Sequence, residues 1–336
     1  MHFDLLRIFA KSPKVDPSGA YIPYVEKHPS KNNIPISTQK VLEKVIADLD
    51  KAKDLTAKFD TLDSNYSTFK SNYFMHGNNS MGGVDSYDYF YSARRYRLCY
   101  PAIMGLLSRV CLYANLPERV IESANYFEKL VSKKIIKWTP SYKLTNSTSS
   151  IDRKRSYDIV FALFNDKFPD IVDTYFGEDV LLNRKLIIED VAGIYANNTS
   201  DKRKKMIDSN GISEEYKMGY HKNDDKTGFI IPNIRLSEIY YNGAEAIYDE
   251  NPEKARELIN AVEKARGVST SKRMPSGLEK DEFMEWLVSE YRKEFIGEGQ
   301  LFYLYKRLNI GFKYSLGEIE NDGNCFLPIP LSESGL

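Results

Sequence analysis

Tyr113-Ala-Asn-Leu-Pro117-Glu-Arg119 and Tyr248-Asp-Glu-Asn-Pro252-Glu-Lys254 share one pattern: a tyrosine, three residues, then proline, glutamate and a base. Proline suits the first helical position because the N–H it lacks would have no partner there. A glutamate next to it faces the positive end of the helix dipole. Each stretch therefore reads as the start of a helix, and each follows a run with apolar residues at i+3 and i+4. Before the first stand Ile103, Leu106, Leu107, Val110 and Leu112; before the second stands Leu236–Ala246. Each helix pair spans roughly the 34 residues of a tetratricopeptide unit. The small and aromatic positions of that repeat are only partly kept. Two helix hairpins of one type predict a mainly α fold of tetratricopeptide-like hairpins.

Working outward, the period predicts more helices. Ser37 or Thr38 can cap one carrying Val41, Leu42, Val45, Ile46, Leu49, Ala52 and Leu55. The first hairpin starts at about Arg94, with Pro101 in its first turn, and its second helix runs from Pro117 to about Val131. Further helices are expected over Pro252–Arg266, Asp281–Phe295 and Leu301–Leu308. Pro13, Pro17, Pro23, Pro29 and Pro35 crowd residues 11–37, which must be an extended surface connection. Residues 136–232, with the short apolar runs Ile159–Phe164 and Val180–Ile188, read as irregular with one or two helices. We therefore expect one domain over 1–336: a helical part at 37–135 with a long loop at 60–91, a loop-rich part at 136–232, and a second helical part with an extended end at 233–336. The opening His2–Ala10 is amphipathic, and a chain that starts inside such a helix is expected to be the later portion of a longer one. Phe3, Leu6 and Phe9 are then expected to form an exposed apolar patch.

Lys plus Arg and Asp plus Glu number 47 each, so the formal charge is zero. That argues against nucleic acid, which needs clustered basic excess. The three cysteines make no disulfide framework, since Cys99 and Cys111 fall along one predicted helix beyond bridging reach. His2, His28, His76 and His221 lie far apart and lack the spacing of a zinc site. Asn321-Asp-Gly and Asn223-Asp-Asp lack the distal glutamate and flanking helices of a calcium loop. Gly297-Glu-Gly299 follows a helix, where it marks a helix end. Glu290, Glu294 and Glu298 share one helical face, which could pair carboxylates for glycoside hydrolysis but reads first as ion pairing, with Arg292, Lys293, Lys306 and Arg307 nearby. No nucleophile elbow is visible. The reading is thus non-enzymatic, with no catalytic residue, metal or cofactor.

The unusual counts are 24 Tyr and 17 Phe against 2 Trp. Aromatics at helical spacing are expected in the core. Those at 65–91, interleaved with Asn, Ser and Gly, have no period to bury them, and they either pack on one another or offer flat rings and amides to a sugar or peptide. Tyr73, Phe74, Tyr87, Tyr89 and Tyr91 are the first candidates for ligand binding. Tyr175 and Phe176 before Gly177, and Trp138 just before Pro140, come next.

Ile234-Arg-Leu-Ser-Glu-Ile-Tyr-Tyr-Asn-Gly-Ala-Glu-Ala-Ile247, followed by Pro252 to Asn260-Ala-Val262 and Gly267-Val268, resembles the helix-hairpin signature of the SusD/RagB family of surface nutrient-binding lipoproteins. Glu290-Tyr-Arg-Lys-Glu-Phe-Ile-Gly-Glu-Gly-Gln300 resembles that family's Glu-Arg-Arg-x-Glu-Phe-x-x-Glu-Gly stretch, and Leu327-Pro-Ile-Pro330 with Glu333 its usual ending. Tyr21-Ile-Pro-Tyr24, Asp48-Leu-Asp-Lys-Ala52, Ala102 to Leu112, Asp158-Ile-Val-Phe-Ala-Leu163 and Asp201-Lys-Arg203 fall in the family's order, so the resemblance covers nearly the whole chain. It departs at Glu263 and Ala265, where the family has arginines, and at Leu301 and Leu304, where it has an Arg and an Asp.

The resemblance implies a SusD-like fold and a binding module. Members capture glycans or other nutrients for a SusC-type TonB-dependent transporter at the outer membrane. A tetratricopeptide-like face holds the transporter and irregular loops hold the ligand. Members also carry a signal peptide, a lipid-modified cysteine and earlier helices; membrane attachment is therefore expected only through a lipid anchor outside this sequence, which resembles the last two-thirds of a member. Two rivals remain open. An intracellular tetratricopeptide-like adaptor would show a concave helical groove for a peptide tail. A glycoside hydrolase would show two carboxylates about 5–10 Å apart in a cleft.

Overall fold

The computed structural model describes residues 1–30, 33–62, 96–144, 152, 154–171, 191–195, 198–206, 229–314, 317–323 and 325–328. Among the described residues the helices of eight residues or more are α1 (His2–Phe9), α2 (Thr38–Asp60), α3 (Tyr100–Tyr113), α4 (Pro117–Ser132), α5 (Leu236–Ile247), α6 (Pro252–Ala265), α7 (Lys280–Glu294) and α8 (Gln300–Leu308). They stack in order. α2 packs on α1 and α3, α3 on α4, and α5 packs against α3, α4, α6 and α7. Both hairpins of the Tyr-x-x-x-Pro-Glu pattern are present, with the proline in the first turn each time.

Local chemistry explains the ends. Ser37 caps α2 by accepting from the Lys40 N–H, Asn251 does the same for α6 with Lys254, and Glu279 with Glu282 forms a capping box on α7. α3 starts at Tyr100, later than the expected Arg94, because Pro101 can stand only in a first turn. Gly297 and Gly299 take φ of 74° and 73° between α7 and α8, the turn expected of a helix end. Gly323 donates its N–H to Asn321 Oδ1 in an ordinary turn; Asn223-Asp-Asp lies outside the described residues.

The main core lies between α3, α4, α5, α6 and α7. Leu107, Phe127, Tyr241, Ile259 and Phe283 are among its buried members. α4 and α5 meet at backbone distance: a Cβ placed on Gly243 would fall 2.5 Å from the Ala124 Cβ. Ser123 Oγ donates to the Met104 carbonyl, and Asn242 Nδ2 to Ser108 Oγ, so these polar groups inside the core are paired.

Two expectations need correction. Phe3 and Leu6 do not form an exposed patch; with Ala10 they are buried against Ile22, Val41, Leu42, Val45, Val110 and Tyr113, and Phe9 is half-buried beside them. The proline-rich connection is long enough to return α2 over that face. It also pairs β1 (Ala20–Ile22) with β2 (Ile36–Ser37) on the way. The second correction falls in the middle region: Ile159–Phe164 is a strand, β3, antiparallel to β4 (Ile230–Arg235). The run is too short for a helix and rich in β-branched and aromatic residues, but its partner lies some seventy residues on, where no local period can reveal it. A third ladder joins β5 (Phe312–Tyr314) to β6 (Gly317–Ile319).

Candidate functional site

β3 leaves the core as it runs. Ile159 and Val160 are buried, Leu163 is 51% and Phe164 74% exposed, a gradient rather than the alternation of a strand lying on a core. At the far end the rings of Phe164 and Phe229 stand 5.9 Å apart, and the Asn165 N–H donates to the Phe229 carbonyl at 2.9 Å. Lys154 is buried beneath them. Its Nζ donates to the Ile230 carbonyl at 2.8 Å and stands 5.6 Å over the Phe168 ring.

Other segments are tied to the same ladder. The Tyr96 carbonyl accepts from the Ala162 N–H at 3.2 Å, and its hydroxyl donates to the Ser156 carbonyl at 2.7 Å. Asp152 donates its N–H to the Lys143 carbonyl, and Lys143 Nζ lies 4.8 Å over the Tyr157 ring. Tyr73, Phe74, Tyr87, Tyr89, Tyr91, Tyr175 and Phe176 lie outside the described residues. The nearest described residue in sequence is Leu62, just after α2, for Tyr73 and Phe74, Tyr96, which is hydrogen-bonded to β3, for Tyr87, Tyr89 and Tyr91, and Ile171, seven residues after β3, for Tyr175 and Phe176. Trp138 is described. It is half-buried, edge-on to Tyr240 at 5.1 Å and 5.6 Å beneath the Arg266 guanidinium, with the Thr139 N–H donating to Asp158 Oδ1 at 2.5 Å. Leu163, Phe164 and Phe229 were not singled out from sequence, since an apolar run gives no sign of which end leaves the core.

The ladder's inner end rests on buried charge. Arg155, Arg203, Arg235, Arg266 and Lys293 face Asp158, Asp201, Glu290, Glu294 and Glu298. Arg266 donates to both Glu294 oxygens, at 2.9 and 2.6 Å, and reaches Asp158; Ser237 Oγ adds a donor to Glu294 at 2.9 Å. Arg235 grips Glu298 through two bonds of 2.7 and 2.8 Å, and Arg203 joins Asp201 to Glu290. Burial alone would raise the Glu294 pKa, but Arg266, Arg155 and Arg235 hold it well below the usual carboxylate range. Glu290 and Glu294 are thus sealed and neutralised, out of reach of a glycosidic bond. Ion pairing was the right expectation for this face, though of the bases near in sequence only Lys293 bonds to Glu290; the arginines come from distant segments.

The helical side carries two open grooves of about 660 and 780 Å3 that meet at Lys14 and Leu308. Several of their charged groups are engaged internally: Arg307 binds Glu245 through two bonds, Lys280 binds Asp249, and Lys14 donates to the Leu308 carbonyl. Among the described residues no group of three or more His, Cys, Asp or Glu side chains is placed to hold a metal, and no helix is long and apolar enough to cross a membrane.

The described residues thus form a stacked helical scaffold with an antiparallel ladder whose outer end is aromatic and exposed. Residues 191–323 match the model of the SusD family. The fold of the whole chain is shared with solved structures. A SusD-like carbohydrate binding protein from Bacteroides vulgatus is 18% identical with a TM-score of 0.66, over 99% of this chain and 72% of that one. A SusD superfamily protein from Bacteroides thetaiotaomicron is 20% identical with a TM-score of 0.68, over 99% and 73%. A third, from Parabacteroides distasonis, is 14% identical with a TM-score of 0.64, over 99% and 74%. No curated protein matches. The later part of the chain is thus similar to the SusD family, and the mainly helical fold of the chain is SusD-like.

Proposed function

We propose that this chain is a cell-surface nutrient-binding protein of the outer membrane that captures a glycan and passes it to a SusC-type TonB-dependent transporter, without catalysis. The observation that carries this reading is the exposed aromatic end of the β3–β4 ladder, where Phe164 keeps its ring in solvent beside Phe229. A sugar presents an apolar face to such rings while its hydroxyls bond to nearby amides and water. In this proposal the candidates Tyr175 and Phe176, which follow β3 in sequence, and Tyr73, Phe74, Tyr87, Tyr89 and Tyr91, in the connection that reaches Tyr96 beside β3, contribute to the same binding surface. The carbohydrate-binding relative from Bacteroides vulgatus supports the ligand class. Modest affinity is sufficient, because a tethered binder beside a pore raises the local ligand concentration.

Glycan-array screening followed by titration calorimetry tests the reading. We expect a soluble oligosaccharide to bind and to be recovered intact, with each platform aromatic costing on the order of 1 kcal/mol on truncation to alanine. Turnover of the glycan, or unchanged affinity across all the aromatic variants, would overturn it.

A further inference from the structure

Arg203 reaches the buried network from a short 3-10 helix, Lys202–Met206, and Arg266 reaches it from the end of α6. These two segments are stitched together: the Lys202 N–H donates to the Arg266 carbonyl at 3.0 Å, and the Ser269 N–H to Ser200 Oγ at 2.9 Å. Gly267, at φ of 80°, lies under the Lys202 stem, where a Cβ would fall 2.7 Å from Lys202 Cε. Residues three apart eclipse in a 3-10 helix, so Lys205 stands beside Lys202 on one face while Arg203 turns inward. α6 adds Lys264 in its last turn. The loop beyond it adds Lys272 and Arg273, whose Nε donates to the Val268 carbonyl at 2.9 Å.

Lys205, Lys264 and Lys272 are exposed, and Lys202 and Arg273 are half-buried. None of the five forms an ion pair among the described residues. No Asp or Glu occurs in residues 264–278. The nearest carboxylates in sequence are spent: Asp201 on Arg203, and Glu263 on the Met274 N–H and Trp286 Nε1. A helix C-terminus favours cations, which accounts for Lys264, but that field fades within the last turn and does not explain Lys205 or Lys272. The chain is neutral overall, so this face is a local segregation of charge and not a by-product of basic excess.

The patch offers charge and little else. None of its five cations lines either open groove, and Ser269, Thr270 and Ser271 stand among them instead of rings or large apolar side chains. A sugar chain or a peptide needs a groove or an anchor, whereas a layer of phosphate headgroups needs only several cations on one face. Lysine, a compact point charge, suits that layer. We propose that this face rests on an anionic lipid leaflet through Lys202, Lys205, Lys264, Lys272 and Arg273. The ladder starts beside the same network, where Arg266 binds Asp158, and runs out of it, so the aromatic end at Phe164 stays clear of the leaflet. The inference goes beyond the nutrient-binding reading and does not depend on the glycan site.

The test is co-sedimentation of the purified chain with phosphatidylcholine vesicles that contain or lack phosphatidylglycerol. Binding is expected only to the anionic vesicles and should fall steeply as sodium chloride is added. Each lysine near such a surface is worth about fivefold in partition, so the triple variant Lys205→Gln, Lys264→Gln, Lys272→Gln should bind on the order of 100-fold more weakly. A control triple, Lys40→Gln, Lys58→Gln, Lys129→Gln, removes the same charge from exposed positions elsewhere and should bind like the wild type. No binding to anionic vesicles, equal loss in both triples, or no loss in the first overturns the proposal. Polygalacturonate bound through the same lysines while vesicles are ignored would assign the face to an acidic glycan and overturn it as well. Glycan binding at the ladder should be unchanged in both triples, so failure here and failure of the nutrient-binding reading are separate results.

Discussion

Replacing Glu294 by glutamine removes one charge from the buried network and leaves the shape of the side chain nearly intact. Glu294 receives Arg266 twice, Ser237 Oγ, and Arg203 Nη1 at 3.4 Å, with Arg155 and Arg235 each at 3.8 Å. Every close neighbour is a donor, so the new amide N–H group must face one of them. A single pair of charges about 4 Å apart is worth about 4 kcal/mol at an effective dielectric of 20. Relief from desolving the carboxylate offsets part of that, while the stranded guanidinium stays buried. Loss of one partner from such a network costs about 3–5 kcal/mol, and Glu294→Gln is expected in that range by urea unfolding at pH 7 with an unchanged m-value. Because the Glu294 pKa is depressed in the folded state, its contribution is full above the unfolded value of ~4.3 and fades as pH falls through the folded one. The difference between variant and wild type should therefore start to narrow below about pH 4.3 and go on narrowing as pH falls towards the folded value. A loss below about 1 kcal/mol at pH 7, or costs that simply add in the double variant with Arg266→Gln, would refute the network as a coupled unit.

Other consequences are equally direct. Gly243→Ala improves helix propensity by about 1 kcal/mol but drives a methyl into Ala124, so a net loss of about 1–2 kcal/mol from overpacking is expected in thermal unfolding; a gain would mean that α4 and α5 separate freely. Burial and then the charge of Glu290 push the Glu263 pKa up to about 7. Stability from this residue is full below ~4.3 and declines as pH rises to about 7, and Glu263→Gln should flatten that slope in unfolding measured across the interval. Phe164→Ala should leave the midpoint nearly unchanged while weakening glycan binding by about 1 kcal/mol. Trp138→Ala, which uncovers Tyr240 and Arg266, should cost about 3 kcal/mol or more of stability, and the reverse ranking would place Trp138 on the ligand surface and Phe164 in a packing role.

Much of the scaffold is legible locally because its determinants are local. Proline in the first turn, a capping serine or asparagine, and apolar residues every three or four positions act within one or two turns. The observed bounds of α4, α6, α7 and α8 accordingly fall within a residue of those expected. α3 gives a weaker signal because nearly its whole circumference is buried, including Ser108 and Arg109, so no polar face marks its phase. The cover over Phe3 and Leu6 is harder again. It comes from α2 and β1 across a proline-rich connection, and a sequence shows that a face is apolar without showing what arrives to cover it.

The ladder and the charge network fail to show for one shared reason: their members are paired over long separations. Phe161 meets Ile234, and Arg203 reaches Glu290 and Glu294. Only the composition of each half is visible in the chain, as a run too short to be a helix or as a helix face with too many carboxylates. The network also explains why β3 can end in solvent. Arg155 takes φ of 53° and Asp158 is bound by Arg266 and the Thr139 N–H, so the turn that launches the strand is fixed from below. A strand anchored by buried ion pairs does not need its outer residues for stability, which leaves Leu163 and Phe164 free to serve a partner. The physical separation is testable in one molecule: substitutions at the inner end should change stability, and substitutions at the outer end should change what binds.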